Sequence, residues 1–159
     1  MISRRILLAA GLTLWPGPTP RAQPMPGVPA PGVVVWRDPA CGCCKGWVAH
    51  LRAAGFIVDD KVVPSLSAIR RELGTPDDLL SCHAGLVQGL ALEGHVPAAA
   101  IRRLLAERPA GVRGLAVPDM PIGSPGMEVP GQPADTYDVI AFGSVSHRVF
   151  MRFTGSEPV

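Results

Sequence analysis

Three of the four cysteines fall within four positions, in the segment CGCC at residues 41–44. The run GVVVW at 32–36 precedes them and leads into the turn-forming RDPACG, which predicts a buried strand and then a tight turn. The segment after them places apolar residues at helical spacing and stops at Gly55, a residue typical of helix C-termini. The sequence therefore predicts that the cysteines lie at the start of a helix, directly after a strand.

The rest of the chain predicts further alternation of strands and helices. The expected elements are a strand at 56–63, a helix at 64–74 with Ser65 as a possible N-cap, one or two strands at 84–94, a helix at 97–107 and a C-terminal hairpin at 136–153 that turns near Gly143. Residues 110–136 are too rich in Gly and Pro to be regular throughout. A loop of that length is often functional, and the alternative is a surface insertion. These patterns predict one α/β domain at 33–155, with a mixed sheet flanked by helices.

Residues 1–22 have the pattern of an export signal. Arg4 and Arg5 precede an apolar stretch, Ile6 to Trp15, that is shorter than the roughly 20 residues needed to span a bilayer. The arginine pair also resembles a twin-arginine signal. An uncleaved amphipathic start or a lipid-facing anchor is the alternative. The pattern favours export to the periplasm, by the general secretory or the twin-arginine route, with residues 23–32 as a linker.

Removal of the leader changes the sign of the net charge. The chain carries 15 basic and 13 acidic residues, a formal charge of +2, and loss of the leader's three arginines leaves a net charge of −1. No basic stripe remains that would bind nucleic acid, and no second apolar run would span a membrane. We therefore expect neither a nucleic-acid partner nor a membrane span in the mature protein.

The position of the clustered thiols predicts that they are reactive. A helix N-terminus favours the thiolate, which is the form that attacks disulfides and binds metals. Cys41 and Cys44 have the Cys-x-x-Cys spacing, and a strand, a turn, cysteines at a helix start and then a second strand and helix follow the thioredoxin-like order. Cys43 would open competing disulfides in a dithiol enzyme. Three thiolates at one helix start favour Cu(I), zinc or an iron–sulfur cluster instead.

Other donors for such a site lie further along the chain. Cys82 completes a set of four thiols, and on an extended segment its neighbour His83 would point the opposite way, so only one of the two is expected to face the cluster directly. His95 precedes the third helix, at a position where ligands often lie. Met120 and Met127 are thioethers, which favour Cu(I) over zinc. The alternative for both methionines is that they anchor the loop on the core.

Several residues near the cysteines are expected to serve the fold. His50 lies off the face of the predicted helix that carries the cysteines, which favours a structural or surface role. Trp36 and Trp47 flank the cluster in sequence and are expected to pack beneath it. Pro97 and Pro118 are candidates for a cis-proline beside the thiols.

Three segments occur in a specific order within residues 33–153: CGCCKGWVAHLRAAGF, SCHAGLVQGLALEGHVPAAAIRRLL and GLAVPDMPIGSPGME. Together they resemble the CopG-type family of small exported copper-homeostasis proteins. The resemblance implies a thioredoxin-like fold, copper binding by thiolates, a role in copper resistance and interconversion of Cu(I) and Cu(II). Asp119 stands where the family usually has Gly. The resemblance also implies site residues. It makes copper ligands of four cysteines: Cys41, Cys43, Cys44 and Cys82. It includes four further residues in the family's motifs without assigning them a role: His83, His95, Met120 and Met127.

We interpret the chain as an exported protein that binds one or more Cu(I) ions through clustered thiolates, with Met and His donors completing the site. Its expected partners are copper ions and other exported copper-handling proteins. One alternative is a thiol–disulfide oxidoreductase in which Cys41 attacks and Cys44 resolves. The other is a binding module held by structural zinc or by two disulfides.

Overall fold

A computed structural model describes residues 30–144 and 146–159, and these form eight strands and three α-helices. The predicted leader at 1–22, and most of the predicted linker, lie outside the described residues. The helices are α1 (Gly42–Ala53), α2 (Ser67–Leu73) and α3 (Ala98–Glu107). The strands are β1 (Gly32–Arg37), β2 (Ile57–Val62), β3 (His83–Val87), β4 (Leu90–Glu93), β5 (Val112–Ala116), β6 (Thr136–Gly143), β7 (Arg148–Thr154) and β8 (Glu157–Pro158).

All eight strands belong to one mixed sheet, in the order β2-β1-β3-β4-β5-β6-β7-β8. Two neighbouring pairs are parallel, β1 with β2 and β4 with β5, and a helix connects the strands of each pair. The other pairs are antiparallel. Parallel neighbours need a crossover connection, which explains why α1 and α3 follow β1 and β4 directly. The start of α1 and the start of β3 therefore lie at one end of neighbouring strands.

The main core lies between the sheet and the helices α1 and α3. In α1 the buried residues Trp47, Val48 and Leu51 have helical spacing, and in α3 Ile101 and Leu104 do the same. Alternate residues of the strands complete this core. A smaller apolar cluster includes Ala91, Ala116 and Phe142 and packs against Leu73 of α2. Apolar burial of this kind is the main free energy that opposes the loss of chain entropy.

The mixed α/β architecture and the C-terminal hairpin confirm the predictions, and the sheet is larger than expected. Strand β5 lies inside the segment 110–136, which is not regular throughout, and β8 extends the sheet by one short strand. The thioredoxin-like assignment and the boundaries at 33 and 155 stay predictions. Within the described residues, no helix is long and apolar enough to cross a membrane.

Two local predictions are wrong. Leu66, not Ser65, is the N-cap of α2, and it makes no capping hydrogen bond with its side chain. Ser65 instead accepts the N–H of Ser67 through its hydroxyl, at 3.3 Å, in a turn before the helix. No peptide bond among the described residues is cis, so Pro97 and Pro118 are both trans.

Candidate metal centre

The cysteine cluster lies at the N-terminus of α1, as the sequence predicts. Cys41 is the N-cap, and its sulfur accepts the backbone N–H of Cys44 at 3.4 Å. Cys43 and Cys44 occupy the first turn. Cys41 and Cys44 form a disulfide, while Cys43 and Cys82 are free thiols. The helix N-terminus stabilises negative charge on these sulfurs once the disulfide is reduced.

All four cysteine sulfurs lie within 4.8 Å of one another. The Sγ of Cys43 is 3.4 Å from that of Cys41 and 3.9 Å from that of Cys82. Four thiolates at about 2.3 Å around one tetrahedral ion would be about 3.8 Å apart. The reduced set therefore fits a metal ion of soft character without a large movement of the chain, whereas the disulfide must first be broken.

A second group of donors shares one member with the first. The Sγ of Cys82 lies 3.2 Å from Nδ1 of His83 and 3.1 Å from Nε2 of His95. These three ligand atoms also lie within 4.8 Å of one another. Cys82 therefore belongs both to an all-sulfur group and to a group of one sulfur and two imidazoles.

Of Cys82 and His83, it is Cys82 that joins the sulfur group of Cys41, Cys43 and Cys44. The expectation that the His83 side chain points away from that of Cys82 is wrong. It assumed that both residues are extended, but Cys82 lies in a bend and the strand begins at His83. Side chains of consecutive residues alternate only within a strand. The bend allows the thiol and the imidazole to converge on the same place.

The orientation of His95 is set by a backbone carbonyl. Its Nδ1 lies 2.8 Å from the carbonyl oxygen of Pro125, and since a carbonyl can only accept, Nδ1 carries the proton. The lone pair of Nε2 then faces Cys82. Metal-binding histidines are held in this way by a partner on the other ring nitrogen. Burial lowers the pKa of His95, while the Pro125 carbonyl and the charge of Glu128 oppose this effect.

His83 is fully buried, and its ring centroid lies 4.3 Å from that of Trp47. Burial lowers the pKa of His83 well below its ordinary value, and the neighbouring His95 lowers it further. The Nε2 atom of His83 has no hydrogen-bond partner among the described residues. The ring is therefore held between the Cys82 sulfur, which Nδ1 faces, and the ring of Trp47.

Burial, and after it the charge of Cys43, raise the pKa of the Cys82 thiol to about 12. A thiol with a high pKa stays protonated at neutral pH unless a cation replaces the proton. Metal binding at Cys82 would therefore release a proton and supply the positive charge that the buried thiolate lacks.

The two methionines of the Gly/Pro-rich loop differ in their relation to the cluster. Met120 is 50% exposed and, with Cys82, Leu80, Ser81 and Asp119, lines an open pocket of about 370 Å³. Met127 is half-buried, and its backbone N–H donates to Ser124 in a turn. Only Met120 therefore lies at the opening beside Cys82, and the ligand role of both stays a prediction.

Asp119 adopts a positive φ of 61°. Glycine enters this left-handed region without strain, and Asp is one of the few other residues that visits it regularly. This backbone geometry explains why the position, expected to be Gly from the family resemblance, accepts Asp here.

Trp36, Trp47, His50 and His147 lie outside the two groups of donor atoms. Trp47 is fully buried, as expected, whereas Trp36 is half-buried. His50 accepts the backbone N–H of Ala98 through Nε2 at 3.1 Å, which satisfies a free donor at the start of α3. His147 is exposed and pairs with Asp78. Helical spacing predicts the face of α1 on which His50 lies. It does not predict that this face meets the start of α3.

The fold and the site define a small mixed α/β protein with a cluster of thiols and imidazoles that could hold a metal. Residues 79–127 match a family model described as "Protein of unknown function, DUF411". No curated protein sequence matches the chain. Two solved structures of copper resistance protein CopG, form 1 and form 2, are 43% identical to it, with TM-scores of 0.73 and 0.72. They cover 80% and 78% of this chain and 100% and 98% of their own.

The chain belongs to the family of the copper resistance protein CopG. The resemblance predicted from the three sequence segments is thereby confirmed.

Proposed function

We propose that the protein binds copper in an exported compartment, as Cu(I) held by the clustered thiolates, and serves copper resistance. The observation that carries this proposal is the sharing of Cys82 between the four-sulfur group and the group with two imidazoles. Soft thiolate ligands select Cu(I), while imidazole also suits Cu(II). The names of the solved relatives support copper as the metal.

Each group of donors suits a different step in copper handling. The reduced cysteines at the start of α1 would take up Cu(I) as cargo, with more than one ion in reach because Cys43 and Cys82 can bridge. When an external one-electron acceptor oxidises Cu(I) to Cu(II), the imidazoles of His83 and His95 would bind the oxidised ion, and an external electron donor would reverse the step. Redox interconversion of Cu(I) and Cu(II) therefore forms the second half of the proposal, with Met120 and Met127 as further soft donors.

The location and fold that we propose follow from the same reasoning. Export to the periplasm rests on the leader pattern at 1–22, and delivery to or from other exported copper-handling proteins would follow from that location. A thioredoxin-like fold is supported by the order of the first elements, in which β1, a turn, the cysteines at the start of α1, β2 and α2 follow one another.

Anaerobic titration of the reduced mature protein with Cu(I), against a strong competing chelator, tests the proposal. We expect the wild type to retain one or more Cu(I) ions per chain after desalting. Cys43→Ser should lose this binding, because it removes the thiol between Cys41 and Cys82. His147→Gln, which alters an exposed histidine outside the site, should bind copper like the wild type. Complete removal of copper from the wild type by the chelator would refute the proposal.

A second candidate function is favoured by the disulfide between Cys41 and Cys44. In a thiol–disulfide oxidoreductase the Cys41 thiolate would attack a substrate disulfide, and Cys44 would then displace the reduced substrate and form the internal disulfide. Cys41 is the partly exposed member of the pair, while Cys44 is fully buried. This function requires that the wild type reduces insulin without metal and that Cys41→Ser abolishes the reaction.

A further inference from the structure

Ser81, the residue before the shared thiol Cys82, is held by three separate parts of the chain. Its backbone N–H donates to Oε1 of Glu93 at 2.8 Å, and its carbonyl accepts from Nη2 of Arg70 at 2.5 Å. Its hydroxyl donates to the carbonyl of Asp119 at 2.7 Å. Both backbone hydrogen-bonding groups of Ser81 are thus bound by one pair of charged side chains.

Arg70 of α2 and Glu93 of β4 also bind each other in a forked arrangement. Nε of Arg70 lies 3.2 Å from Oε2 of Glu93, and Nη2 lies 2.5 Å from Oε1. The Glu93 side chain is 0% exposed and that of Arg70 is 18% exposed. A buried ion pair often contributes little to stability, because the loss of hydration offsets the attraction between the charges. Stability alone is therefore a weak explanation for this pair.

The carbonyl of Ser81 belongs to the peptide bond that joins Ser81 to Cys82. A peptide bond is planar, so a hydrogen bond to this oxygen fixes the orientation of the backbone nitrogen of Cys82. The backbone of Cys82 lies in a bend, outside the regular hydrogen bonding of β3. The contacts of Ser81 with Arg70 and Glu93 supply the restraint that the sheet does not provide at this point.

We propose that Arg70 and Glu93 are positioning residues that aim the Cys82 thiol at the junction of the two donor groups. The inference rests on the proposed copper function, which gives that junction its role. Through Ser81 the pair places one sulfur 3.9 Å from Cys43 and 3.1 Å from Nε2 of His95. Asp119, bound to the same serine, places the neighbouring Met120 at the opening of the site.

The test compares three arginine substitutions in the full mature chain. Arg70→Met removes the charge and both sets of hydrogen bonds while keeping much of the apolar stem. Arg70→Lys keeps the charge but lacks the planar fork that binds Glu93 and Ser81 together. Arg152→Met is the control, because Arg152 forms a similar forked pair with Asp138 in β6 and β7, strands that β4 and β5 separate from β3.

Two readouts distinguish positioning from a purely structural role. The first is the affinity for Cu(I), measured by competition with a chelator. The measurement is made under conditions in which urea unfolding shows each variant to be fully folded. We expect Arg70→Met to weaken the affinity by about 10- to 100-fold, as for other residues that orient metal ligands. Arg70→Lys should restore part of the loss, and Arg152→Met should leave the affinity within about twofold of the wild type.

The second readout needs no metal. In chains that carry Cys41→Ser, Cys43→Ser and Cys44→Ser, Cys82 is the remaining thiol, and its rate of alkylation reports how well it is enclosed. We expect Arg70→Met to accelerate alkylation several-fold. Unchanged affinity together with unchanged alkylation in a folded Arg70→Met variant would overturn the inference. If the wild type binds no Cu(I), the proposed function fails, and the alkylation rate still decides whether Arg70 positions Cys82.

Discussion

Gly46 of α1 and Gly126 of the Gly/Pro-rich loop touch through their backbones. A Cβ on Gly46 would lie 2.7 Å from the Cα of Gly126, and a Cβ on Gly126 would lie 2.6 Å from the carbonyl oxygen of Cys43. Two glycines are therefore required where the loop crosses the N-terminal half of α1. The contact holds the neighbouring Pro125 in place, and the Pro125 carbonyl sets the proton position of His95.

Gly126→Ala should displace this loop. Gly126 has a φ of +89°, and an added Cβ would also meet the backbone nitrogen of Trp47 at 2.5 Å. We expect a loss of about 2–4 kcal/mol in the free energy of unfolding by urea. The ring NMR signals of His95 should also shift as its bond to Pro125 is lost.

Gly131→Ala is the matched control for Gly126→Ala. Gly131 has a similar φ of +78°, but an added Cβ would meet nothing within 4 Å. Gly131→Ala should lower the free energy of unfolding by only about 1 kcal/mol, because backbone strain is its sole effect. Equal losses of stability in Gly126→Ala and Gly131→Ala would show that the close contact between the loop and α1 does not contribute to stability.

Acid should weaken the fold through His50. Its Nε2 accepts the N–H of Ala98 and so must be unprotonated, and burial lowers its pKa, with the charge of Glu128 opposing. The folded chain therefore binds fewer protons than the unfolded chain below about pH 6.5, and the free energy of unfolding falls as pH decreases from there.

Urea unfolding at about pH 7.5 and about pH 5 measures this effect on either side of the ordinary histidine pKa. His50→Gln retains a side chain that can accept the same N–H, and it should lose part of the wild type's acid sensitivity. His147→Gln leaves the contact between His50 and Ala98 intact and should keep the acid sensitivity that this contact causes. An identical pH dependence for His50→Gln and the wild type would contradict the assignment.

Trp47→Phe should destabilise the protein by about 2–4 kcal/mol, because it leaves a cavity and an unpaired acceptor. The indole N–H of Trp47 donates to the carbonyl of Val96 at 2.8 Å in the buried core. Trp36→Phe, at a half-buried position, should cost less than about 1 kcal/mol. Thermal and urea unfolding of both variants would measure the difference.

The two donor groups should respond differently to substitution. Cys44→Ser removes a sulfur from the four-sulfur group and should weaken Cu(I) binding more than Cu(II) binding. His95→Ala removes an imidazole and should weaken Cu(II) binding more than Cu(I) binding. The reason is that imidazole suits Cu(II), whereas thiolate suits Cu(I). Competition titrations with each oxidation state under anaerobic conditions provide the measurement. Parallel losses for both ions in both variants would indicate one undivided site.

Met120→Leu should lower Cu(I) affinity several-fold and change the free energy of unfolding by less than about 0.5 kcal/mol. Leucine keeps the apolar volume at the mouth of the pocket but removes the thioether sulfur. Met151→Leu, in β7 against the main core, is the control and should bind Cu(I) like the wild type. Wild-type affinity in Met120→Leu would remove Met120 from the set of donors.

The sequence was most informative where local chemistry decides the structure. Helical spacing and Gly55 predicted α1 and its cysteines, and the β-branched run predicted β1. The convergence of His83 with Cys82 was missed, because it depends on a bend that no residue pattern in this segment marks. The position of His95 depends on a loop 30 residues further along the chain, which spacing cannot reveal.

Polar contacts between residues far apart in the chain were also missed, because local spacing does not reveal which distant residues meet. No sequence pattern singled out Arg70 or Glu93, which are 23 residues apart in the chain, yet they meet beside Ser81. Strand β5 was hidden in a Gly/Pro-rich segment, because pairing with β4 and β6 outweighs the weak strand preference of its own residues.

The membership of Cys82 in both donor groups has a thermodynamic consequence. An ion bound to Cys82 within one donor group changes the charge of the Cys82 sulfur. It also changes the direction of the lone pairs that this sulfur can offer to an ion in the other group. Under the proposed copper function, the two groups would be linked by a coupling free energy that is the same whichever group fills first. Copper binding curves would then depart from the sum of two independent isotherms, and loss of the single thiol at position 82 would abolish that interdependence.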